Sequence, residues 1–447
     1  MIKFYNINLI NISFLIILYP FSLLSGPFIS DTIVCLVCLF FIINIIIKKN
    51  YKFFNNNLTY LFIILFLYLI FNSFISQNPF LSFESSLFYF RHWLFCIGFA
   101  YCVLNNFNIL KYFFISITIM LIILISDSYL QYFTGTNLTD FKYDGFRLSS
   151  FFGDELILGG FLSRFFPILV GIIFFFSNNQ KFQFVTLVII SIIIGSLVIL
   201  SGERTALFLF ISYLFFFSII NTKKRHFFMY TFLIMIITFI SLILTNKNIE
   251  KRIINYTLNQ LLEKKLEINS AITDENVNVS HIFSSIKGLK LNEISFFSIQ
   301  HEVVYKTAYK IFLDNKLFGI GPKNFREVCK ISKYQTLNKM DPSINGCQTH
   351  PHNIQLQILV ETGFVGYTLF LIIYINIIML IIKKHISSKD TFDSLNFLKI
   401  FFLISIFLNF FPLIPSGNFF NNYFSNLLYL PFAIYISLVF IKLEKKI

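Results

Sequence analysis

The sequence has little charge for its length, and this absence excludes a soluble protein. Only 13% of the 447 residues are charged, whereas 56% are hydrophobic, and the mean hydropathy is +0.73. A soluble chain of this length needs many more charged side chains on its surface. The composition therefore indicates a multi-spanning membrane protein.

Motifs for nucleotide or metal chemistry are also absent. The sequence contains no Gly-rich phosphate loop, no paired-aspartate magnesium motif and no Cys/His cluster with metal-ligand spacing. We therefore expect neither a cofactor nor a metal. An activated substrate must then arrive by another route, and a lipid-linked diphosphate in the membrane provides one.

Apolar runs follow one another along most of the chain. About twelve of them are near the roughly 20 residues that a membrane-spanning helix needs, and they predict an all-α polytopic membrane protein with about 12 transmembrane helices. Residues 1–245 contain helices 1–9, residues 246–351 form one long hydrophilic loop, and residues 352–447 contain helices 10–12. Within the loop, "HEVVYKTAYKIFLDNKLFGIGPKNFREVC" predicts an amphipathic helix that ends at a Gly-x-Gly-Pro turn.

Lysine and arginine are distributed unevenly between the loops. Loops 77–87 and 415–424 contain neither, whereas the loops expected on the other side contain residues such as Lys48, Lys181 and Lys383. The positive-inside rule then predicts a cytoplasmic N-terminus and an outward-facing long loop. The formal charge of +14 is thus mainly a topology signal, and we expect membrane lipids, not nucleic acid, as partners.

The stretch "THPHNIQLQILVETG" places histidines where a helix enters the membrane. Because Pro351 suits the first helical position, His350 is the expected N-cap and His352 the second helical residue. The positive end of the helix dipole would keep His352 neutral, which suits a general base. The alternative is that His352 only anchors the helix at the membrane interface.

Two further polar residues follow on the same helix. Asn353 could orient His352, bind a sugar or simply solvate the first turn. Glu361 lies nine residues beyond His352, on the opposite side of an ideal helix. It is therefore expected to pair with another helix and to have a structural role.

A second candidate element is the corner "SGERTALF". Arg204 lies there at the expected outer surface, where its guanidinium could bind phosphate oxygens through two hydrogen bonds. Glu203 is the alternative partner of Arg204. Arg147 and Arg164 are similar but weaker candidates, and Arg164 could extend to the membrane surface without any function.

Two of the six cysteines lie in the long loop. Cys329 and Cys347 are the only pair there, so they are expected to form a disulfide if that compartment is oxidising. The remaining four lie within spans and are interpreted as small apolar packing residues.

The stretches "LFGIGPKNFREVC" and "CQTHPHNIQLQILVETGFVGYTLF" resemble the O-antigen ligase and polymerase superfamily, whose members are polytopic glycosyltransferases. The resemblance covers roughly residues 125–385 and implies a fold like that of other polyprenyl-using glycosyltransferases. It implies a glycan on undecaprenyl diphosphate as donor and a lipid A core sugar hydroxyl as acceptor. His352 would be the catalytic base, while Arg204, with Arg147 or His301, would bind the diphosphate. The active site would face the periplasm from the bacterial inner membrane.

The sequence departs from the superfamily pattern in two places. Leu207 is the third residue after Arg204 and Phe208 the fourth, where the ligase pattern has leucine fourth. An arginine often found on the long-loop helix is replaced by His301 or Lys306.

Two alternative functions remain open. A polymerase would use two lipid-linked glycans, which requires a second cluster of outward cations, and the few cations outside the long loop favour a ligase. A glycan or lipid transporter is a more remote alternative. Carriers usually place polar residues in the middle of the membrane, whereas here they lie at its surface.

Overall fold

The protein is described here from a computed structural model that covers residues 2–220, 224–257, 297–338, 343–387 and 394–444. None of these described residues lies in a β-strand, and the all-α prediction is confirmed. Residues 258–296 of the predicted long loop lie outside the described part. The helices are α1 Ile2–Ser22, α2 Pro27–Lys48, α3 Asn57–Phe74, α4 Pro79–Ser86, α5 Phe90–Asn105, α6 Asn108–Thr134, α7 Leu158–Phe176, α8 Gln180–Leu200, α9 Arg204–Ile220, α10 Arg225–Thr245, α11 Lys247–Ile249, α12 Ile299–Asp314, α13 Phe325–Val328, α14 Ile354–Ser387, α15 Ser394–Asn409 and α16 Asn422–Glu444.

Within the described ranges, nine helices are long and apolar enough to cross a membrane. Three shorter apolar helices, Ile12–Ser22, Arg204–Ile220 and Asn396–Asn409, accompany them. Together they account for the twelve spans that the apolar runs predict. The amphipathic helix predicted in the long loop is also present, as α12.

Loops from distant parts of the sequence meet at one end of the bundle, which we call the cavity end. The connections α1–α2, α6–α7, α8–α9 and α15–α16 all contribute lining residues to one cavity there, together with the segment before α14. Helices α2 and α7 begin at this cavity, near Pro27 and Ile157, so Lys48 and Lys181, which lie at or just beyond their other ends, are at the opposite end of the bundle. The predicted sorting of the loops into two groups therefore agrees with the helix directions.

Helix α14 is broken at Gly363, where φ is +68°. The break exposes backbone groups, and the Gly-x-Gly-Pro turn of the long loop binds them. The N–H groups of Ile320 and Gly321 donate to the carbonyls of Val360 (3.2 Å) and Glu361 (2.7 Å). Phe364 and Val365 donate in the opposite direction, to Lys316 (2.7 Å) and Leu317 (3.2 Å). The turn is thereby bonded to a membrane-embedded helix through backbone groups alone.

This close approach requires glycine in the turn. A Cβ on Gly319, whose φ is +69°, would lie 2.5 Å from the backbone nitrogen of Gly363. Gly135 has a similar φ of +84° but has nothing within 4 Å of its Cβ position, so it provides a matched control.

We expect Gly319→Ala to destabilise the protein more than Gly135→Ala does. Left-handed backbone costs an alanine about 1–2 kcal/mol at both positions, and only Gly319 adds a clash, of about 1–3 kcal/mol. Thermal unfolding of the purified protein in detergent measures the difference. Equal losses of stability at the two sites would contradict the close backbone pairing.

Candidate active site

A cavity of about 930 Å³ occupies the cavity end of the bundle. Its lining includes polar and charged residues: His301, His350, His352, Arg164, Arg326, Glu155 and Glu203. It also includes apolar residues such as Phe161, Leu209, Phe424 and Leu427. Such a cavity can hold a ligand that is anionic at one end and hydrocarbon at the other.

His352 reaches this cavity from a turn, and the predicted start of its helix is wrong. Helix α14 begins at Ile354, and its N-cap is Asn353, whose Oδ1 accepts the Leu356 N–H at 3.0 Å. His352 precedes the helix and has φ +55°, a left-handed conformation that histidine adopts more readily than most residues. Pro351 therefore does not occupy the first helical position.

The loop after α15 holds the histidine turn in place. Ser416 donates its N–H to the carbonyl of His352 (2.9 Å), and its Oγ accepts the N–H of Ile354 (2.9 Å). Its carbonyl can only accept, so Nε2 of His350 donates to it (3.3 Å). The Thr349 hydroxyl lies 3.0 Å from Nδ1 of His350 and donates to it when the imidazole is neutral.

The three histidines form a row with His352 in the middle. Its ring centroid lies 4.2 Å from that of His350 and 5.8 Å from that of His301. Burial is the largest cause that lowers each pKa, to about 3 for His350 and about 4 for His301. Burial also lowers the pKa of His352. All three imidazoles are therefore neutral at pH 7, and a neutral imidazole can accept a proton.

Each outer histidine of the row has an arginine near it. The charge of Arg204 contributes to lowering the pKa of His301. The charge of Arg326 does the same at His350. The two outer histidines of the row are thus each influenced by the charge of a different arginine.

Arg204 belongs to a cluster of three arginines beside the corner between α8 and α9. It is exposed, and its Nη1 donates to Oγ1 of Thr257 at 3.3 Å. Burial, followed by the charges of Arg147 and Arg204, lowers the pKa of Arg252. Positive charges that repel one another in this way favour the binding of an anion between them.

The cluster is built on the backbone of the corner. Nε of Arg252 donates to the carbonyl of Gly202 at 2.9 Å, and a Cβ on Gly202 would lie 2.3 Å from that nitrogen. Arg147 donates to the carbonyls of Leu156 (2.8 Å) and Ser201 (3.4 Å). Arg147 thus ties the preceding loop to the corner. None of the three arginines of this cluster is among the residues that line the cavity.

Glu203 organises the start of α7. Its two carboxylate oxygens accept the N–H groups of Gly159 (2.8 Å) and Gly160 (3.2 Å). Burial is the largest influence on this carboxyl and raises its pKa. Nη1 of Arg164 donates to the Gly160 carbonyl (2.9 Å), and its guanidinium carbon lies 5.0 Å from the Phe424 ring centroid. Arg164 therefore points into the cavity wall.

The other predicted site residues lie around the histidine turn. Asn353 is 5% exposed, and besides capping α14 it donates from Nδ2 to the Pro412 carbonyl (2.7 Å). Its side chain is therefore used in positioning the turn. Glu361 is fully buried and accepts the N–H of Phe325 (3.4 Å) and an Nε2–H of Gln357 (3.1 Å). Its partner is thus the segment after the Gly-x-Gly-Pro turn, in addition to a residue of its own helix.

Cys329 and Cys347 are joined by a disulfide. Cys329 follows α13, and Cys347 lies five residues before His352. The bond therefore links the segment that carries Arg326 to the segment that carries the histidines.

Sequence reasoning missed Arg252 and Arg326. A signal was available, because only seven of the 36 basic residues are arginine. In a chain that otherwise uses lysine, each arginine indicates a place where the planar, five-donor guanidinium is needed. Six of the seven lie at the cavity end: Arg147, Arg164, Arg204, Arg252 and Arg326, and also Arg91, which pairs with Asp31 near the start of α2.

The fold and site define a multi-pass membrane protein with a partly polar cavity at one end. Comparison with known families then gives one match: residues 187–371 match the sequence model described as O-antigen ligase, and this match supports an O-antigen ligase family membrane protein. The match supports ligase or polymerase activity on lipid-linked glycans. No curated protein matches the chain.

The matched range covers much of the candidate site. It contains Arg204, Arg252, His301, Arg326 and His352, whereas Arg147 and Arg164 lie before it. Among the described residues, no group of three or more His, Cys, Asp or Glu side chains is arranged to hold a metal ion. The absence of a metal requirement remains a prediction.

Proposed function

We propose that the protein transfers a glycan from undecaprenyl diphosphate to a sugar hydroxyl of the lipid A core, on the periplasmic side of the inner membrane. The observation that carries this proposal is the position of His352. Its neutral imidazole lies in the middle of the histidine row, inside a cavity with cationic and apolar walls. The family match to O-antigen ligase supports the same reaction class.

In the proposed mechanism, the acceptor hydroxyl attacks the anomeric carbon of the donor sugar. His352 takes the hydroxyl proton as the new carbon–oxygen bond forms. The bond between that carbon and the diphosphate breaks, and the lipid diphosphate leaves with its electron pair. Arg204, supported by Arg252 and neutral His301, stabilises the negative charge that develops on the leaving group. A single displacement of this kind inverts the anomeric configuration and uses no metal.

The apolar wall suits the lipid part of the donor. Phe161, Leu209 and Leu427 lie on helices α7, α9 and α16, which are candidate spans or shorter apolar helices. A polyprenyl chain could follow this wall into the membrane while its diphosphate stays near the arginine cluster. The positive-inside rule places the lysine-bearing end in the cytoplasm, which directs the cavity to the periplasm.

A polymerase that joins two lipid-linked glycans is the second candidate. Arg326 favours it, because this cation lies away from the cluster around Arg204 and beside His350. Both reactions use the same donor and the same base, so they differ only in the acceptor. A transporter finds less support, since the family match is to an enzyme family.

We expect His352→Asn to lower glycan transfer at least a hundredfold, because a general base contributes about 10²–10⁴ in rate. Asparagine tolerates the left-handed backbone of this position, so the turn is retained. Transfer is measured in proteoliposomes with lipid-linked donor and lipid A core. Gln348→Ala, an exposed change in the same segment, serves as the control. If a well-inserted His352→Asn protein transfers glycan at a rate within a few-fold of wild type, His352 is not the base and only anchors the helix at the membrane interface.

We expect Arg204→Lys to raise the donor KM at least tenfold, because an ammonium does not reproduce the bidentate fork of a guanidinium. The measurement is the initial transfer rate over a range of donor concentrations. Lys142→Gln removes an exposed cation from a loop at the same end and should leave the donor KM unchanged. Equal behaviour of the two variants would show that Arg204 does not bind the diphosphate.

A further inference from the structure

Arg326 is held rigidly at the wall of the cavity. It is the second residue of α13, directly after the Gly-x-Gly-Pro turn that is bonded to α14. The carboxylate of Glu361 accepts the N–H of Phe325, the residue before Arg326. The disulfide from Cys329 adds a second link, to the histidine segment. The position of Arg326 relative to His352 is thus fixed by three connections.

One donor of the Arg326 guanidinium, the Nε–H, is left unpaired by the described residues. Its Nε is buried and has no hydrogen-bond partner among the described residues. The charge of Arg326 influences the carboxylate of Glu361. The oxygens of that carboxylate, however, accept hydrogen bonds from Phe325 and Gln357. Burial of an incompletely paired cation is costly. A side chain in this state that also lines a cavity is suited to bind an anionic ligand.

The charges of the two cationic groups influence different outer members of the histidine row. Arg204 acts on His301, whereas Arg326 acts on His350, and the ring of His352 contacts both of these histidines. An anion bound by Arg204 and an anion bound by Arg326 would therefore approach the same base from two sides. Glycosyl transfer has two substrates, and only one of them needs to be the diphosphate donor.

We propose that Arg326 binds a phosphate group of the acceptor and so positions the acceptor hydroxyl at His352. The inference rests on the proposed function, in which His352 is the base and Arg204 binds the donor. Arg326 takes no part in bond making or breaking. The phosphate could belong to a phosphorylated core sugar or to the diphosphate of a second lipid-linked glycan. The first source corresponds to a ligase and the second to a polymerase.

The test compares three variants of the full-length protein in proteoliposomes: Arg326→Gln, Arg326→Lys and Lys330→Gln. Lys330 is an exposed cation on the same loop, paired with Glu327, and serves as the matched control. We expect Arg326→Gln to raise the acceptor KM at least tenfold and to leave the donor KM within twofold of wild type. Arg326→Lys should restore part of the acceptor affinity. Thermal unfolding of each variant reports whether the fold is retained.

Three acceptors distinguish the sources of the phosphate: phosphorylated lipid A core, the same core after phosphatase treatment, and a second lipid-linked glycan. If Arg326→Gln raises the KM for phosphorylated core but not for dephosphorylated core, Arg326 binds a core phosphate. If the variant raises the KM for the lipid-linked acceptor, Arg326 binds the diphosphate of that acceptor. Three results would overturn the inference. They are an increase in the donor KM alone, an unchanged acceptor KM, and an equal increase in the acceptor KM for phosphorylated and dephosphorylated core.

Binding measurements keep this test separate from that of the proposed function. Binding of each acceptor to purified wild type and Arg326→Gln is measured without donor. If wild type transfers nothing to any acceptor, the proposed function fails. Weaker binding of phosphorylated acceptors by Arg326→Gln would still support the anion site, whereas unchanged binding would refute it. If wild type transfers normally and Arg326→Gln has unchanged acceptor kinetics, only the inference fails.

Discussion

The backbone pairing between the Gly-x-Gly-Pro turn and the break in α14 is the constraint on which the site depends. A transmembrane helix can expose unpaired backbone groups only where another segment satisfies them. Here residues 316–321 do so at Gly363. The paired loop segment continues to α13 and Arg326. The paired helix segment leads back along α14 to the histidine turn. A hydrophilic loop is thereby held against a membrane helix closely enough to place groups from both around one cavity.

The electrostatics of the site follow from burial. Three imidazoles near each other and near arginines remain neutral, since protonating any one of them would place another positive charge in a partly desolvated chamber. The chamber therefore carries its positive charge on guanidinium groups, which stay charged in proteins. This division leaves the histidines available for proton transfer and the arginines available for phosphate. A ligand that brings negative charge offsets the repulsion within the arginine cluster around Arg252.

The architecture was predictable from the sequence, because apolar length and lysine placement depend on the membrane alone. The loop helix was predictable for a similar reason, since its amphipathic pattern is local. The start of α14 was not: the proline rule favours Pro351, but hydrogen bonds from Ser416, 65 residues further along the chain, fix the preceding turn in another conformation. Arg326 was missed because its significance depends on a cavity assembled from segments that are far apart in the sequence. Its rarity as an arginine was the only local signal.

The central claim is that this cavity holds the lipid-linked donor with its diphosphate beside the histidine row. An experimental structure of the protein in lipid nanodiscs with bound undecaprenyl diphosphate tests it most directly. The account predicts diphosphate density between Arg204 and His301, within reach of His352, and polyprenyl density along the wall formed by Phe161 and Leu209. Diphosphate density outside the cavity, or at the lysine-bearing end of the bundle, would contradict it.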